Sequence, residues 1–400
     1  MRNAISYIRL FKILIVAILK TRNLSPKIKA KKRILYLAKP IFNDDIAQID
    51  KKCDEIVFIR FPRLELSKIV RLAVSDFDKL NDQAYWNVLT DAEIIKVNRL
   101  VAVFFAVYRF FWPFDGVTTG NYTYVSQQGF AVYCVKKKIP FVVLYKEGTL
   151  IKFREPEKQK TLFDGKLFVG THLLLPNQTT KDLFESYGTF HDAKVKILTT
   201  GIPRFEIYKQ DISLGDKIVF FYFDPSQKAS IASGRDREDA LDELTKQLRD
   251  ILRRLSTASK NHPVVLKTKN RNELDKLRKF IVDQDVSFQS ENVTFDASSS
   301  AFNLLEQAFC VVGNFSTTLV EARLAGRKVF SPLSGLHEGD TFFRSIGVRD
   351  ISELDDYLSR DEKVQDKIAP DLVEAVCAHY SGNVTQSVAD ILLELGDKKW

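Results

Sequence analysis

The sequence predicts an α/β fold with two domains in series, each built on a parallel sheet flanked by helices. Short, continuous apolar runs such as Ile139–Tyr145 are typical of strands buried on both faces of a parallel sheet. Segments with helical periodicity alternate with these runs; in 236–255, for example, Leu241, Leu244 and Leu248 recur on one helical face. The 400 residues suffice for two or three domains, and the composition is that of a globular protein.

Changes in composition divide the chain. Residues 1–32 form a basic N-terminal segment that we expect to contain an amphipathic helix, and the first α/β domain covers 33–210. A polar break at 211–216 is the expected linker, the second α/β domain covers 211–380, and a C-terminal helix lies within 381–400. This arrangement predicts two parallel sheets, each with its own helices.

The first domain is predicted to begin with an apolar strand directly after the basic segment. Its expected strands are 33–37, 54–61, 115–120, 139–145, 166–169, 173–176 and 195–198, and its expected helices are 64–80, 93–111, 122–138 and 180–187. The helix at 122–138 ends in three lysines, which suit the negative end of the helix dipole. The helix at 93–111 is so apolar and aromatic that we expect it to be buried.

The second domain repeats the alternation. Its expected strands are 217–223, 263–267, 293–295, 308–312 and 328–332, and its expected helices are 236–255, 274–282, 301–307 and a segment following 313–318. The C-terminal helix, roughly 384–395, could pack back on the first domain. Gly326 ends the helix that follows 313–318, as glycine commonly does. Ligands on such sheets bind beyond the carboxyl ends of the strands, so we expect the site in a central cleft between two facing domains.

The charge distribution favours a negatively charged partner. The net charge is +9, ten lysines and arginines lie between Arg2 and Arg33, and no acidic residue occurs before Asp44. The apolar stretch 4–19 is short, is interrupted by two basic residues, and lacks a following signal-peptide cleavage site. Two interpretations remain: a helix on an anionic membrane surface, or a helix packed on the protein's own core.

Cysteine and histidine positions give no sign of a disulfide framework or a metal site. The four cysteines and five histidines are scattered without paired spacing, at Cys53, Cys134, Cys310, Cys377, His172, His191, His262, His337 and His379. We therefore expect free, mostly buried thiols in a reducing compartment, no metal ion and no cofactor.

A polar turn at 313–318 is the strongest candidate for a ligand site. It joins a buried strand to a helix, so its backbone N–H groups and the positive end of the helix dipole can bind an anion. The donor-phosphate candidates within it are Gly313, Asn314, Ser316, Thr317 and Thr318. The alternative is an ordinary helix cap, because serine and threonine are common there.

Other polar residues follow strands directly. Glu147 is the candidate catalytic base, since burial at a strand end raises the pKa of a carboxylate; the alternative is a salt bridge. Lys267 and Lys269 could hold phosphates as point charges, or could be solvated lysines. Further candidate donor or acceptor contacts are Asn121, Arg204, His337 and Glu338, with structural or surface roles as the alternatives.

Three segments carry a family resemblance. Lys146–Gly148 is similar to the acidic-acidic-glycine motif that supplies the base in bacterial GT-B sialyltransferases, with lysine at the first acidic position. Phe315–Thr318, with the helix through Glu321, resembles the Ser/Thr motif that holds the donor phosphate, which adds Glu321 to the candidate contacts. Thr200–Arg204 resembles the Gly-x-Pro-Arg segment before the interdomain linker.

Over about 34–358 the chain thus resembles GT-B glycosyltransferases of bacterial surface-polysaccharide assembly. The nearest groups are the capsule-type β-Kdo transferases and the GT-B sialyltransferases, with the CDP-glycerol glycerophosphotransferases as relatives. The chain departs from the pattern after Leu266, where Lys267–Lys269 stands in place of the family's His-Pro motif. A lysine could replace the histidine by charge, and the donor could equally be another nucleotide sugar.

The resemblance implies two Rossmann-like domains facing a cleft, the GT-B architecture. It implies metal-independent transfer of a sugar from a nucleotide sugar, with CMP-Kdo or a related CMP-sugar as candidate, to a surface glycan or lipid-linked acceptor in capsule biosynthesis. The enzyme would be cytoplasmic and peripheral on the inner face of the cytoplasmic membrane. The alternatives are a nucleotide-sugar 2-epimerase, which shares the fold and needs no acceptor, and a non-catalytic protein that binds anionic polymers. We expect no nucleic-acid partner, because no recognition motif is present.

Overall fold

The computed structural model describes residues 2–74, 89–146, 149–150, 159–160, 163–229, 236–336, 339–360, 364–365 and 367–395. These residues form two compact units. The first draws on Met1–Lys152, Pro156–Glu206 and Glu374–Trp400, and the second on Ile207–Val373. Each unit contains its own sheet and its own apolar core.

The first unit contains a seven-stranded sheet that is parallel except at one edge. Its strands are β1 (Arg22–Asn23), β2 (Lys32–Leu37), β3 (Ile56–Phe61), β4 (Gly116–Thr119), β5 (Phe141–Leu144), β7 (His172–Leu175) and β9 (Lys196–Thr199). The spatial order is β1-β3-β2-β4-β5-β7-β9, and only the β1–β3 pair is antiparallel. Two further strands, β6 (Leu167–Phe168) and β8 (Thr189–Phe190), form a separate parallel pair.

Helices pack against both faces of this sheet. The helices of the first unit before the linker are α1 (Arg2–Lys20), α2 (Pro40–Lys52), α3 (Leu64–Arg71), α4 (Asp91–Phe111), α5 (Val125–Lys136) and α6 (Gln178–Tyr187). Almost all of α5 is buried, and α3 and α4 pack against it. A capping box fixes the start of α4, because the Thr90 hydroxyl accepts from the Glu93 amide while the Glu93 carboxylate accepts from the Thr90 amide. Helix α4 also contacts the sheet directly, because Phe104 and Phe105 pack against Phe61 of β3.

The structure corrects the expectation that 93–111 is buried. Val97, Phe104 and Tyr108 of α4 lie in the core, whereas Phe110 and Phe111 are exposed. Composition alone could not separate the two faces, because apolar residues occur all around the helix.

The N-terminal segment forms helix α1, but the expected amphipathic character is not confirmed. Leu10 and Leu14 are buried in the first unit's core, yet Phe11 and Leu19 on the opposite side are also apolar and are exposed. No described helix is long and apolar enough to cross a membrane.

The second unit contains a six-stranded, wholly parallel sheet. Its strands are β10 (Lys217–Phe221), β11 (Val264–Lys267), β12 (Val293–Asp296), β13 (Ala308–Val312), β14 (Lys328–Ser331) and β15 (Val348–Asp350). Its helices are α7 (Pro225–Ala229), α8 (Arg237–Ala258), α9 (Arg271–Asp283), α10 (Ala301–Gln307), α11 (Thr317–Leu324), α12 (Asp340–Ser345) and α13 (Leu354–Ser359). The order β12-β11-β10-β13-β14-β15 means that the chain builds outward from the centre, first to one side and then to the other.

After the short helix α14 (Pro370–Glu374), the chain returns to the first unit as α15 (Val384–Glu394). Asn383 caps α15 by accepting from the Gln386 amide at 3.1 Å. Val388 and Leu392 of α15 pack with residues of α2 in the core on the second face of the first sheet. The last described segment thus completes the first unit's core.

Candidate functional site

The centre of the second sheet is a topological switch point. Strands β10 and β13 are parallel neighbours there, and the chain leaves them towards opposite edges of the sheet. In open parallel sheets, ligands bind in the crevice outside the carboxyl ends of such a strand pair. The segments at this position are 222–229 after β10 and 313–316 after β13.

The turn at 313–318 begins helix α11 as predicted. Ser316 is the N-cap residue, and its Oγ accepts from the Thr318 amide at 3.3 Å. Ser316, Thr317 and Thr318 are all half-buried. A Cβ on Gly313 would lie 2.8 Å from Cδ2 of Leu319, so a side chain at this position would crowd the first turn of the helix. The turn therefore combines the N-terminal end of a helix with three hydroxyls.

Asn314 is buried in the same turn with one hydrogen-bonding atom unused. Its side chain is 3% exposed, and Nδ2 donates to Oε1 of Gln247 at 3.3 Å. Nε2 of Gln247 in turn donates to Oγ of Ser334 at 2.9 Å. Oδ1 of Asn314 has no hydrogen-bond partner among the described residues. A buried acceptor without a partner is unfavourable, and a donor on a bound ligand would satisfy it.

Lys228 supplies a positive charge beside this turn, and the sequence did not predict it. It lies in α7, and its Nζ donates to the backbone oxygen of Phe315 at 2.5 Å. The rule that ligands bind beyond strand ends could have found it, because Lys228 lies seven positions after Phe221, the last residue of β10. Helix dipole, backbone amides and ammonium together make this edge suitable for an anion.

The carboxylate of Asp224 forms an ion pair just before α7, the helix that contains Lys228. Oδ1 of Asp224 accepts from the amide and hydroxyl of Ser226, and Oδ2 accepts from Nζ of Lys276 at 2.8 Å. Burial alone would raise the pKa of Asp224, but Lys276 and Ser226 together hold it below its usual value. Asp224 is therefore ionised at neutral pH, and its contacts order the start of α7.

Lys267 is the last residue of β11 and Lys269 follows that strand, on the side of β10 away from the turn. Nζ of Lys267 pairs with Oδ1 of Asp296 at 3.3 Å. Burial would raise the pKa of Asp296, but hydrogen bonds from Ser299, Ser298 and Lys267 lower it to about 2. Lys269 is exposed. The phosphate role of both lysines stays a prediction.

Three of the other candidate contacts are buried and bonded within their own unit. Glu321 accepts from the hydroxyl of Tyr208 at 2.9 Å, and Arg204 pairs with Asp45 at 3.1 Å. Oδ1 of Asn121 accepts from the amide of Thr123 at 2.6 Å. These contacts give each side chain a structural role.

The remaining predicted residues, Glu147 with its neighbour Gly148, and His337 and Glu338, lie outside the described residues. Glu147 comes three positions after Leu144, the last residue of β5, and thus follows a strand of the first sheet. Its role as a base stays a prediction.

The first sheet has its own switch point, between β2 and β4. Lys39 follows β2, Arg63 follows β3 and Tyr124 follows β4. Nζ of Lys39 contacts the hydroxyl of Tyr124, and the Arg63 guanidinium lies 4.8 Å from the centre of the Tyr124 ring. The carboxyl edge of the first sheet is therefore also cationic, which the sequence did not predict.

Two other features lie away from these edges. A cavity of about 350 Å³ lies near the amino-terminal ends of β5 and β7, and none of the predicted site residues lines it. Within the described ranges, no group of three or more His, Cys, Asp or Glu side chains is arranged to hold a metal ion.

Solved structures with similar architecture exist at low sequence identity. A Listeria monocytogenes protein described as a UDP-N-acetylglucosamine 2-epimerase aligns with a TM-score of 0.50 and 13% identity, covering 92% of this chain and 98% of that one. A second UDP-N-acetylglucosamine 2-epimerase aligns with a TM-score of 0.50 and 12% identity, covering 93% of this chain and 98% of the other. No protein-family model and no curated protein matches the chain.

At these identities the similarity concerns the fold. The chain has the α/β, GT-B-like architecture with parallel sheets that the sequence predicted. The closer resemblance to β-Kdo transferases and sialyltransferases is not supported by these alignments.

Proposed function

We propose that the protein is an enzyme that binds a nucleotide sugar at the 313–318 turn of the second unit and epimerises the sugar at C2. One observation carries the proposal. The 313–318 turn lies at the switch point of a parallel sheet, with Lys228 beside it and, within it, an Oδ1 of Asn314 that has no partner among the described residues. The choice of reaction is supported by the similarly folded UDP-N-acetylglucosamine 2-epimerases, which make UDP-N-acetylglucosamine the first substrate to test.

The phosphates of the substrate would bind at the start of α11. Ser316, Thr317 and Thr318 offer hydroxyl donors, the first turn of the helix offers N–H groups, and Lys228 offers an ammonium. Negative charge grows on the departing phosphate when the bond between the sugar and the nucleotide weakens. Donors already fixed by the fold stabilise that charge without reorganising.

Asn314 and Glu147 have different proposed roles. Oδ1 of Asn314 can accept a hydrogen bond but cannot donate one, so its expected partner is a hydroxyl of the ribose or of the sugar. Glu147 is the proposed base, because a carboxylate that follows a buried strand can have a pKa raised towards neutrality. Inversion at C2 would need such a base to remove the C2 proton while the nucleotide leaves C1, which forms a C1–C2 double bond. Return of a proton to the other face of C2 and of the nucleotide phosphate to C1 would then give the epimer.

Incubation with UDP-N-acetylglucosamine alone in D₂O tests this function. We expect proton NMR to show the C2 epimer growing in, with deuterium incorporated at C2, and we expect Glu147→Gln to abolish both signals. If the sugar stays unchanged and protonated at C2, the 2-epimerase assignment is wrong.

A second candidate is glycosyl transfer, favoured by exposed apolar and basic side chains on α1 and α4, including Phe110 and Lys12. Such a surface suits an enzyme whose acceptor is a lipid-linked glycan, and the donor would then be CMP-Kdo or a related CMP-sugar. The protein would work in the cytoplasm at the inner membrane face. Nucleotide release from the donor that requires an added glycan acceptor would identify this reaction, and release without acceptor would argue against it.

A further inference from the structure

Helices α1 and α4 lie next to each other on the outside of the first unit. Nε1 of Trp112, just after α4, donates to the backbone oxygen of Ile18 in α1 at 3.3 Å. The hydroxyls of Thr21 and Tyr108 are 2.9 Å apart in a buried contact between the same two helix ends. Both helices bury one side in the same apolar core, so their opposite sides are turned away from it together.

The side turned away from the core is apolar in both helices. Phe110 is 84% exposed and Leu19 is 78% exposed. The exposed large apolar side chains of the described residues are Tyr7, Ile8, Phe11, Ile15 and Leu19 on α1, and Ile95, Val103, Val107, Phe110 and Phe111 on α4. A spacing of three or four residues places Ile8, Phe11, Ile15 and Leu19 on one stripe of α1, and it does the same for Val103, Val107, Phe110 and Phe111 on α4. We call this surface the α1/α4 face.

Basic residues flank the two stripes. Arg9 and Lys12 are exposed on α1, and Lys96 and Arg99 are exposed on α4. No acidic residue occurs in α1, and none occurs in α4 after its first turn. The α1/α4 face therefore combines apolar side chains with uncompensated positive charge.

We propose that the α1/α4 face docks on an anionic phospholipid bilayer, with both helices lying in the interface rather than crossing it. Apolar side chains would enter the boundary between headgroups and acyl chains, and the basic residues would contact anionic headgroups. A second copy of this chain fits less well, because a two-fold contact would bring like charges together. The inference concerns a surface and not the catalytic turn, so it does not depend on the proposed reaction.

Vesicle sedimentation of the full chain gives the first test. We expect binding to phosphatidylcholine vesicles that contain phosphatidylglycerol, little binding to phosphatidylcholine alone, and weaker binding as salt is added. Replacing Phe110 and Phe111 by glutamate should lower the partition coefficient at least about tenfold. Val282→Glu is the matched control, because Val282 is 77% exposed on α9 of the second unit, and it should bind like the wild type.

Site-specific labelling gives an independent readout. All four native cysteines are buried, so a cysteine placed at Leu19 can be labelled selectively with an environment-sensitive fluorophore. We expect its emission to shift to the blue on addition of anionic vesicles, and we expect a label on Val282→Cys to show no shift.

Three results would overturn the proposal. The first is equal vesicle binding by the wild type and by the variant with glutamate at Phe110 and Phe111. The second is an unshifted emission of the label at position 19 on vesicles that bind the protein. The third is a stable dimer of the wild type that does not bind vesicles and that dissociates in the double variant. Circular dichroism of each variant confirms that the fold is intact.

Discussion

Asn314 shows how a single buried atom can indicate a ligand. The residue is buried, and its amide nitrogen and the neighbouring Gln247 are hydrogen-bonded, yet its Oδ1 has no partner within the described part of the chain. Leaving a buried acceptor unpaired costs about 1–3 kcal/mol, and a donor on a bound ligand would remove that cost. We assign that role to a hydroxyl of the nucleotide sugar.

Replacing Asn314 by alanine should therefore weaken the binding of UDP-N-acetylglucosamine about tenfold, because one ligand hydrogen bond is lost. Isothermal titration calorimetry measures the affinity. Asn303→Ala, a change at an exposed position on α10, is the control and should leave the affinity unchanged. An unaltered affinity in the Asn314 variant would contradict the assignment.

His172 gives a prediction about pH. Burial, with Lys196 nearby, lowers the pKa of His172 from 6.5 to about 4. The unfolded chain then takes up a proton at higher pH than the folded chain, so stability falls as the pH drops from about 6.5 towards 4. The full loss is of order 3 kcal/mol. Urea titrations at a series of pH values measure it.

The comparison variant is His172→Asn, which removes the titrating group. It should unfold more easily at neutral pH but lose less stability than the wild type across the same acidic window. Parallel stability profiles for the two proteins would show that His172 is not the group responsible.

At the scale of elements, the last segment of the first unit depends on a glycine. Gly201 has a φ of +82°, and a Cβ there would lie 2.2 Å from the backbone oxygen of Ala378. A side chain at position 201 would destabilise the fold in two separate ways, through the positive φ and through the clash with the Ala378 oxygen. Gly335 has a similar φ of +74°, but a Cβ there would meet no atom of a described residue within 4 Å, so this position tests the strain without that clash.

We expect Gly201→Ala to destabilise the protein by more than about 2 kcal/mol and Gly335→Ala by about 1 kcal/mol. Thermal unfolding followed by circular dichroism compares them. Equal melting temperatures for the two variants would mean that the backbone at Ala378 moves away from the new Cβ without lowering the stability of the protein.

Elements with strong local patterns could be predicted from the sequence. The continuous apolar runs of β2, β5 and β13 gave their positions to within a few residues. Helix α2 was missed, although a proline at its first turn and the buried Phe42, Ile46 and Ile49 form a helical pattern. The two-residue β1 could not be found, because it exists only through its pairing with β3.

In the candidate site, too, local sequence patterns could be predicted and long-range contacts could not. The 313–318 turn was predictable because strand, glycine, hydroxyls and helix are contiguous. The contact of Lys228 with Phe315 joins residues 87 positions apart, and the pairing of Lys267 with Asp296 joins residues 29 positions apart. Such contacts arise from tertiary packing, which a single sequence does not reveal.

At the scale of the whole molecule, we propose that a helix N-terminus and basic side chains, rather than a metal ion, hold the phosphates of the substrate. The start of α11 and Lys228 supply positive potential at one strand edge, and Lys39 and Arg63 supply it at an edge of the other sheet. We therefore expect turnover of the nucleotide sugar to be unchanged after dialysis against EDTA. A loss of activity that Mg²⁺ or Mn²⁺ restores would contradict metal-independent catalysis.

Titration of UDP into the purified protein tests the central claim most directly, because it asks whether the 313–318 turn holds a nucleotide phosphate. We predict that the wild type binds UDP, that Ser316→Ala and Lys228→Ala each weaken binding, and that the double variant binds at least about tenfold less tightly. Lys279→Ala, at an exposed position on α9, should bind like the wild type. Affinity for UDP that is the same in the double variant as in the wild type would contradict the account.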